Sequence, residues 1–390
     1  MEDSLSFVRP FAGFFLGAVL STISPVWAQA PFETEADYAI IMDYRTGEIL
    51  FEKDARTPTA PASMSKLMTV AIIFERLKDG SILLSDEFDV SEKAWRMGGS
   101  KMWVRVDTKI SVENLLRGVV VQSGNDACIV LAENTAGSED AFAELMNRKA
   151  REWGMNDSTF ANATGWPDPN QKMSMKDLAL LTRKIIHDYP EYYALFAETE
   201  FTWEKIRQPN RNPLFDTVNG VDGLKTGHTE ESGYGLVGSA VQDGERRIIV
   251  VNGLSSERER ATESARVMRI AFNDFTTKGF YEPGDIVGEA SVFKGKQRTV
   301  PLITAEKVSM TLHRSMLDRS KSTVIYQGPV EAPIRENQQI GLLRVEIDGG
   351  QVKEFPLYAG QAVKEVGVLG KIGFAAKKLL TKPEATVDTQ

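Results

Sequence analysis

Along the chain, the spacing of apolar and polar positions changes period, and each change marks an element. ADYAIIMDYRTGEILFEKD (residues 36–54) alternates on both sides of Arg45-Thr46-Gly47 and predicts a β-hairpin. From Ser63 to Lys78 the apolar residues recur at helical spacing, and Gly80 ends the run. Helical periods continue through SVENLLRGVVVQ (111–122), DACIVLAENTAG (126–137), EDAFAELMNRKAREW (139–153) and MSMKDLALLTRKIIHDY (173–189). Strand-like runs follow in LKTGHT, YGLVGSAVQ and RRIIVVNGL, the last two joined by Asp243-Gly244, a strong hairpin turn. ERATESARVMRIAFNDF (259–275) closes the series with a helix.

A hairpin, a helical block, more strands and a final helix predict an α+β domain over residues 31–280. Its antiparallel sheet is flanked by helices, and a helical lobe is inserted into it. Pro283-Gly284 mark a boundary. Beyond it, short β-like runs between Val292 and Tyr358 predict a small all-β domain over residues 284–358. In residues 363–382, Lys364, Lys371 and Lys378 fall seven apart beside an apolar face of Val368, Ile372, Ala375, Ala376, Leu379 and Leu380. Five lysines against Glu365 make this a cationic amphipathic helix, too short and too charged to span a bilayer. Such a helix lies in the membrane interface, held to anionic lipids.

The other end is also unusual. Residues 1–30 carry an apolar stretch from Phe11 to Val19 and then small residues, the form of a secretory signal peptide cleaved after Ala28 or Ala30. An uncleaved N-terminal anchor is the alternative; with either, the body of the protein is exported. Composition is ordinary for a soluble protein, at 42% hydrophobic and 26% charged residues. The formal net charge of −8 argues against a bulk nucleic-acid binder. A lone cysteine, Cys128, excludes an intrachain disulfide and reads as a buried inert thiol. Three scattered histidines and one cysteine also argue against a zinc peptidase, and no metal or cofactor is expected.

One residue does not suit its place. Lys66 sits among Met64, Leu67, Met68 and Val70, where an ammonium is costly. Ser63 lies three residues earlier and so shares its helix face. A serine hydroxyl needs a base to become a nucleophile. His187, His228 and His313 form no triad order with a serine and an acid, and the chain has no G-x-S-x-G elbow. A buried lysine with a lowered pKa can serve instead. S-x-x-K alone is weak, since Ser291 and Lys294 repeat it in a β-like stretch. Two further motifs strengthen it: Ser123-Gly124-Asn125 at a helix boundary and Lys225-Thr226-Gly227 on a strand. Together, and in this order, they match the three-part signature of serine acyl-transfer enzymes.

On these motifs the chain resembles the low-molecular-mass penicillin-binding proteins, the serine-type D-alanyl-D-alanine carboxypeptidases. The resemblance runs from about Ala36 to Lys382 and includes GGSKMWV (98–104), RQPNRN (207–212) and GLKTGHTEESGYGLVGSA (223–240). Pro213 and Trp166, the latter where an aliphatic residue is expected, depart from the pattern. The resemblance implies a penicillin-recognising, β-lactamase-like fold. It implies Ser63 as nucleophile, Lys66 as base, Ser123 as proton relay, and Asn125 as a holder of the Lys66 amine and the substrate amide. Lys225 would keep the site electropositive. The backbone amides of Ser63 and His228 would form the oxyanion hole, Gly227 would line the substrate site beside His228, and Thr226 and Arg211 would bind a terminal carboxylate.

The implied substrates are peptidoglycan pentapeptide stems, and β-lactam antibiotics would acylate Ser63. The implied location is the periplasm, peripheral on the inner membrane. A class A β-lactamase would require S-D-N and a glutamate in an E-x-x-L-N setting; Gly124 stands in the middle of the first, and the second is missing. A penicillin-binding sensor that acylates without turnover shares all these residues.

Overall fold

The computed structural model describes residues 32–347 and 351–367. A five-stranded antiparallel sheet forms its frame. The strands are β1 (Tyr38–Asp43), β2 (Ile49–Lys53), β3 (Val221–Thr229), β4 (Gly233–Gln242) and β5 (Glu245–Leu254), in the spatial order β2-β1-β5-β4-β3. The turn between β4 and β5 is the expected Asp243-Gly244, with φ of 50° and 77°. The pleat divides the sheet residues between two cores. Ile40, Met42, Val237, Ile248 and Val250 face the inserted helical lobe. Ala39, Ile41, Leu236, Ile249 and Val251 face the opposite helix, through Val267, Met268 and Ala271.

The lobe between β2 and β3 contains α1 (Lys66–Lys78), α2 (Val112–Val120), α3 (Asn125–Ala136), α4 (Glu139–Glu152) and α5 (Met175–Asp188). The helix on the other face is α6 (Glu257–Asn273). Serine side chains cap α2, α4, α5 and α6: Ser111, Ser138, Ser174 and Ser256 each accept an amide proton from the third residue on. Neither α1 nor α3 has a side-chain cap. The 3-10 turn Ala62–Ser65 leads into α1, and Gly124 holds the cap position of α3. At these two helix starts the serine hydroxyls are left for other work. Helix α1 is buried continuously from Lys66 to Phe74, as an apolar helix in the centre of a domain must be.

The C-terminal unit is all β, with a six-stranded sheet built from Ile286–Phe293, Thr299–Thr304, Ser320–Tyr326, Val330–Glu331, Gln339–Ile347 and Gln351–Ala359. It begins earlier than the expected boundary. Phe275–Tyr281 is a strand that pairs with Val308–His313. Pro283-Gly284 is a turn inside this unit, where the Gly284 N–H donates to Thr304 O. Glu48 joins the two units by accepting from the Thr311 N–H at 2.7 Å and from Lys353 Nζ at 2.9 Å.

Residues 363–367, the start of the expected amphipathic helix, are extended. Val363 is buried and bridges Ile334, and Glu365 bridges Gly295. The apolar side chain of Val363 gains more from the β core than from one more turn of an exposed helix. The remainder of that helix and the signal segment lie outside the described residues.

Candidate active site

Ser63 lies on the 3-10 turn, where residues three apart eclipse one another. The result is direct contact: Lys66 Nζ donates to Ser63 Oγ at 2.7 Å. Ser65, the neighbouring serine, is buried and its Oγ donates to Ala62 O at 3.1 Å. Ala62, just before the nucleophile candidate, has φ +49°, a left-handed conformation that a residue with a Cβ adopts at a cost.

Lys66 is fully buried (0% exposed). Its second partner is a main-chain oxygen, Thr164 O. Gly165 makes that approach possible: it has φ +78°, and a Cβ there would lie 1.9 Å from Ala62 O. Burial, aided by the Arg211 cation, pulls the Lys66 pKa down to about 8, against the opposing pull of the Asp126 carboxylate. Cys128 is close by, but burial pushes its thiol up to about 12, so it remains neutral and supplies no counter-charge.

Lys225, on β3, is also buried and is driven well below the ordinary lysine range by desolvation and then by Lys66 and Arg211. Gly227 lets β3 pass close to the Ser63 turn, since a Cβ there would sit 2.9 Å from Pro61 O. Thr226 is buried beside Lys225, while His228 is exposed and stacks on Tyr234 with ring centroids 3.9 Å apart.

Ser123 has φ +58° and is buried, and its Oγ has no hydrogen-bond partner. A strained residue with an unsatisfied buried hydroxyl is a pattern characteristic of functional sites. Asn125 departs from its implied role. Its Nδ2 donates to Gly98 O at 2.9 Å, and Lys66 Nζ donates to Ser63 Oγ and Thr164 O rather than to Asn125. Arg211 Nη1 donates to Ser100 Oγ at 2.6 Å. The loop around Arg211 is pinned by its flanking asparagines: Asn212 Nδ2 donates to Gly223 O on β3, and Asn210 Nδ2 donates to Glu198 O.

Three contributors had no sequence signal. Thr164 acts through a backbone oxygen, which carries no residue identity. Asp126 accepts from the N–H groups of Met102, Trp103 and Val104, and so fastens the GGSKMWV loop to the start of α3. Arg260 is buried with an unpartnered Nε and lies over the Tyr234 ring. The second S-x-x-K does not form a site: Ser291 is exposed on a strand, and Lys294 pairs with Glu331 at 2.6 Å. His187 and His313 bond to Asp188 and Ser315, away from this cluster. Among the described residues, no group of three or more His, Cys, Asp or Glu is placed to hold a metal ion.

The site is thus a serine in contact with a buried lysine of lowered pKa, with a second lysine, an arginine and a free serine hydroxyl around it. Comparison with known proteins gives the family of the chain. Residues 25–256 match the D-alanyl-D-alanine carboxypeptidase family model, and residues 275–365 match that of the penicillin-binding protein 5 C-terminal domain. The D-alanyl-D-alanine carboxypeptidase DacC of Escherichia coli strain K12 is 37% identical over 369 residues, which cover 93% of this chain and 92% of the relative. The structure of penicillin binding protein 5 from Haemophilus influenzae superposes with a TM-score of 0.78 at 34% identity, over 87% of this chain and 100% of that one. Penicillin-Binding Protein D2 from Listeria monocytogenes, in its ampicillin-bound form, superposes with a TM-score of 0.57 at 28% identity, over 63% of this chain and all of that one. With the family model covering more than half of the sequence, the chain belongs to the D-alanyl-D-alanine carboxypeptidase family, peptidase S11.

Proposed function

We propose that the protein is a serine carboxypeptidase that removes the terminal D-alanine from peptidoglycan pentapeptide stems, and that penicillins acylate the same serine. The observation that carries this reading is the 2.7 Å contact between Ser63 Oγ and the buried Lys66 Nζ. In the neutral form of Lys66 that contact reverses, with the hydroxyl donating to the amine. Ser63 Oγ attacks the carbonyl carbon of the D-Ala-D-Ala bond, and its proton passes to Lys66. The backbone amides of Ser63 and His228 stabilise the oxyanion; one such donor is typically worth roughly 3 kcal/mol. The C–N bond breaks as the leaving amine takes a proton through the free Ser123 hydroxyl, while Asn125 orients the substrate amide. Thr226 and Arg211 hold the terminal carboxylate, for which the planar guanidinium fork is suited. Water then attacks the acyl-enzyme, and the proton it loses regenerates the site.

Free D-alanine released from a pentapeptide stem by the purified protein tests this reading. Penicillin acylation without D-alanine release would instead make the protein a binding module. Rapid turnover of penicillin without D-alanine release would make it a β-lactamase.

The enzyme acts in the periplasm, on the reading of residues 1–30 as a signal peptide, and is held to the inner membrane through anionic lipids by the basic tail. With residues 363–367 docked on the β unit, the membrane-bound helix would begin beyond them. Among the described residues, no helix is long and apolar enough to cross a membrane. Deleting the residues after 367 should release active enzyme into the soluble periplasmic fraction. Continued sedimentation with membranes would place the anchor elsewhere.

A further inference from the structure

At the edge of the β unit, three short segments form a ribbon whose middle strand is residues 363–366. On one side, Val363 and Ile334 exchange backbone hydrogen bonds of 2.9 Å each. On the other, the Lys296 N–H donates to Lys364 O at 2.8 Å and the Val366 N–H to Lys294 O at 2.9 Å. Burial alternates as in a pleat: Gly295, Ile334 and Val363 are buried, while Lys296, Arg335 and Lys364 are exposed. One face of the ribbon therefore gathers three cations. Lys296 stands directly opposite Lys364, and like charges so placed repel. Among the described residues, the side chains of these three cations make no hydrogen bond or ion pair. The acids nearby are otherwise placed: Glu331 pairs with Lys294 at 2.6 Å, Glu365 alternates onto the other face of the ribbon, and Glu336, exposed, follows Arg335.

Position and charge say what this face meets. The middle strand runs directly into residues 368–382, which carry four lysines and no acid in a chain of net charge −8. The face also lies at the end of the β unit away from the catalytic unit. Lys353, bonded to Glu48, marks the near end. Its strand ends at Ala359 beside Leu302, and the strand Thr299–Thr304 continues outward from there to the Gly295 turn. At a strand's rise per residue, the two ends are about 30 Å apart. We propose that Lys296, Arg335 and Lys364 form a docking surface for the anionic headgroups of a lipid bilayer, which seats the folded β unit beside the tail. This rests on the reading of the tail as a membrane anchor, and adds to it a surface of the β unit itself. Headgroup phosphates bonded to the two lysines relieve their repulsion. Docked at this end, the β unit keeps its contacts with the catalytic unit.

The test is binding of the exported chain, residues 31–390, to vesicles of mixed phosphatidylglycerol and phosphatidylcholine at low salt, read by co-sedimentation. Lys296→Gln with Lys364→Gln should lower the partition coefficient about 25-fold, about five-fold for each cation at the surface, and Arg335→Gln should lower it about five-fold more. The loss should fade at about 1 M salt. Thermal unfolding should stay at or above the wild-type midpoint, because the lysine pair removed is a like-charge contact. Arg319→Gln with Lys321→Gln takes the same charge from exposed positions at the near end of the sheet, and should change binding by less than about two-fold. Equal losses from the two pairs would reduce the effect to net charge and overturn the surface. Unchanged binding by the Lys296, Lys364 and Arg335 variants would also overturn it, while the tail reading stood. If the wild type bound these vesicles no better than phosphatidylcholine alone, the reading of a tail held by anionic lipids would itself fall, and the surface with it.

Discussion

The pKa of Lys66 makes the base assignment quantitative. A lysine at about 8 is neutral in about a tenth of molecules at pH 7, about a hundredth at pH 6 and about nine-tenths at pH 9. If neutral Lys66 takes the Ser63 proton, the second-order rate of acylation by a labelled penicillin should rise about ten-fold per pH unit up to about pH 8 and level off near pH 9. The direction follows from burial, which disfavours the ammonium, and from the Arg211 cation. Lys225 is pushed down by Lys66 in turn, so the observed midpoint belongs to the pair.

Arg211→Gln removes one of the cations that lower Lys66 and should move the midpoint to higher pH. Lys66→Arg keeps a permanent cation in the same place and should cost on the order of 10² to 10⁴ in acylation rate, the usual worth of a general base. The assay is the rate of adduct formation at each pH, with folding checked by thermal unfolding. A flat profile between about pH 6 and 9, or an Arg211→Gln midpoint that stays or falls, would refute Lys66 as the base.

Two further outcomes follow from the geometry. Compared at a pH above the Lys66 midpoint of both proteins, Arg211→Ala should weaken turnover of substrates ending in a free carboxylate by about 2 to 3 kcal/mol and hardly touch the C-terminal amide; equal losses in steady-state kinetics there would leave Arg211 a structural residue. Gly165→Ala drives a Cβ into Ala62 O, 1.9 Å away, at φ +78°. It should cut acylation on the order of 10²-fold by displacing the Ser63 turn. Gly154→Ala has nearly the same φ, +77°, but no atom within 4 Å, and should lose some stability and no acylation.

How much of this was legible in the sequence depends on what kind of contact was involved. The Ser63–Lys66 pair is local, so its spacing was legible once the two partner motifs singled it out from Ser291 and Lys294, and the 3-10 turn makes the contact direct. The Asp243-Gly244 hairpin was legible because only certain residues tolerate left-handed backbone on both sides of a two-residue turn. Long-range backbone contacts were not. Thr164 O meets Lys66 across 98 positions, and any residue supplies a carbonyl. Asp126 is by position a first-turn helix acid, and nothing local shows that it gathers three amides from residues 102–104. The bond from Asn125 Nδ2 to Gly98 O, 27 positions away, is another backbone contact that no local pattern shows. The domain boundary was misplaced because Pro-Gly marks a turn, whether or not a domain ends there, and the residues of Phe275–Tyr281 find their partners 27 to 38 positions later.

The most direct test of the account is the position of the penicillin adduct. Ser63 and Ser65 lie two residues apart, but only Ser63 touches the buried lysine, while Ser65 is buried against Ala62 O. Mass mapping of the protein after reaction with a labelled penicillin should place one adduct on Ser63, and Ser63→Ala should abolish it while Ser65→Ala retains it. An adduct on Ser65, or none on the folded wild-type protein, would contradict the assignment of Ser63 as nucleophile.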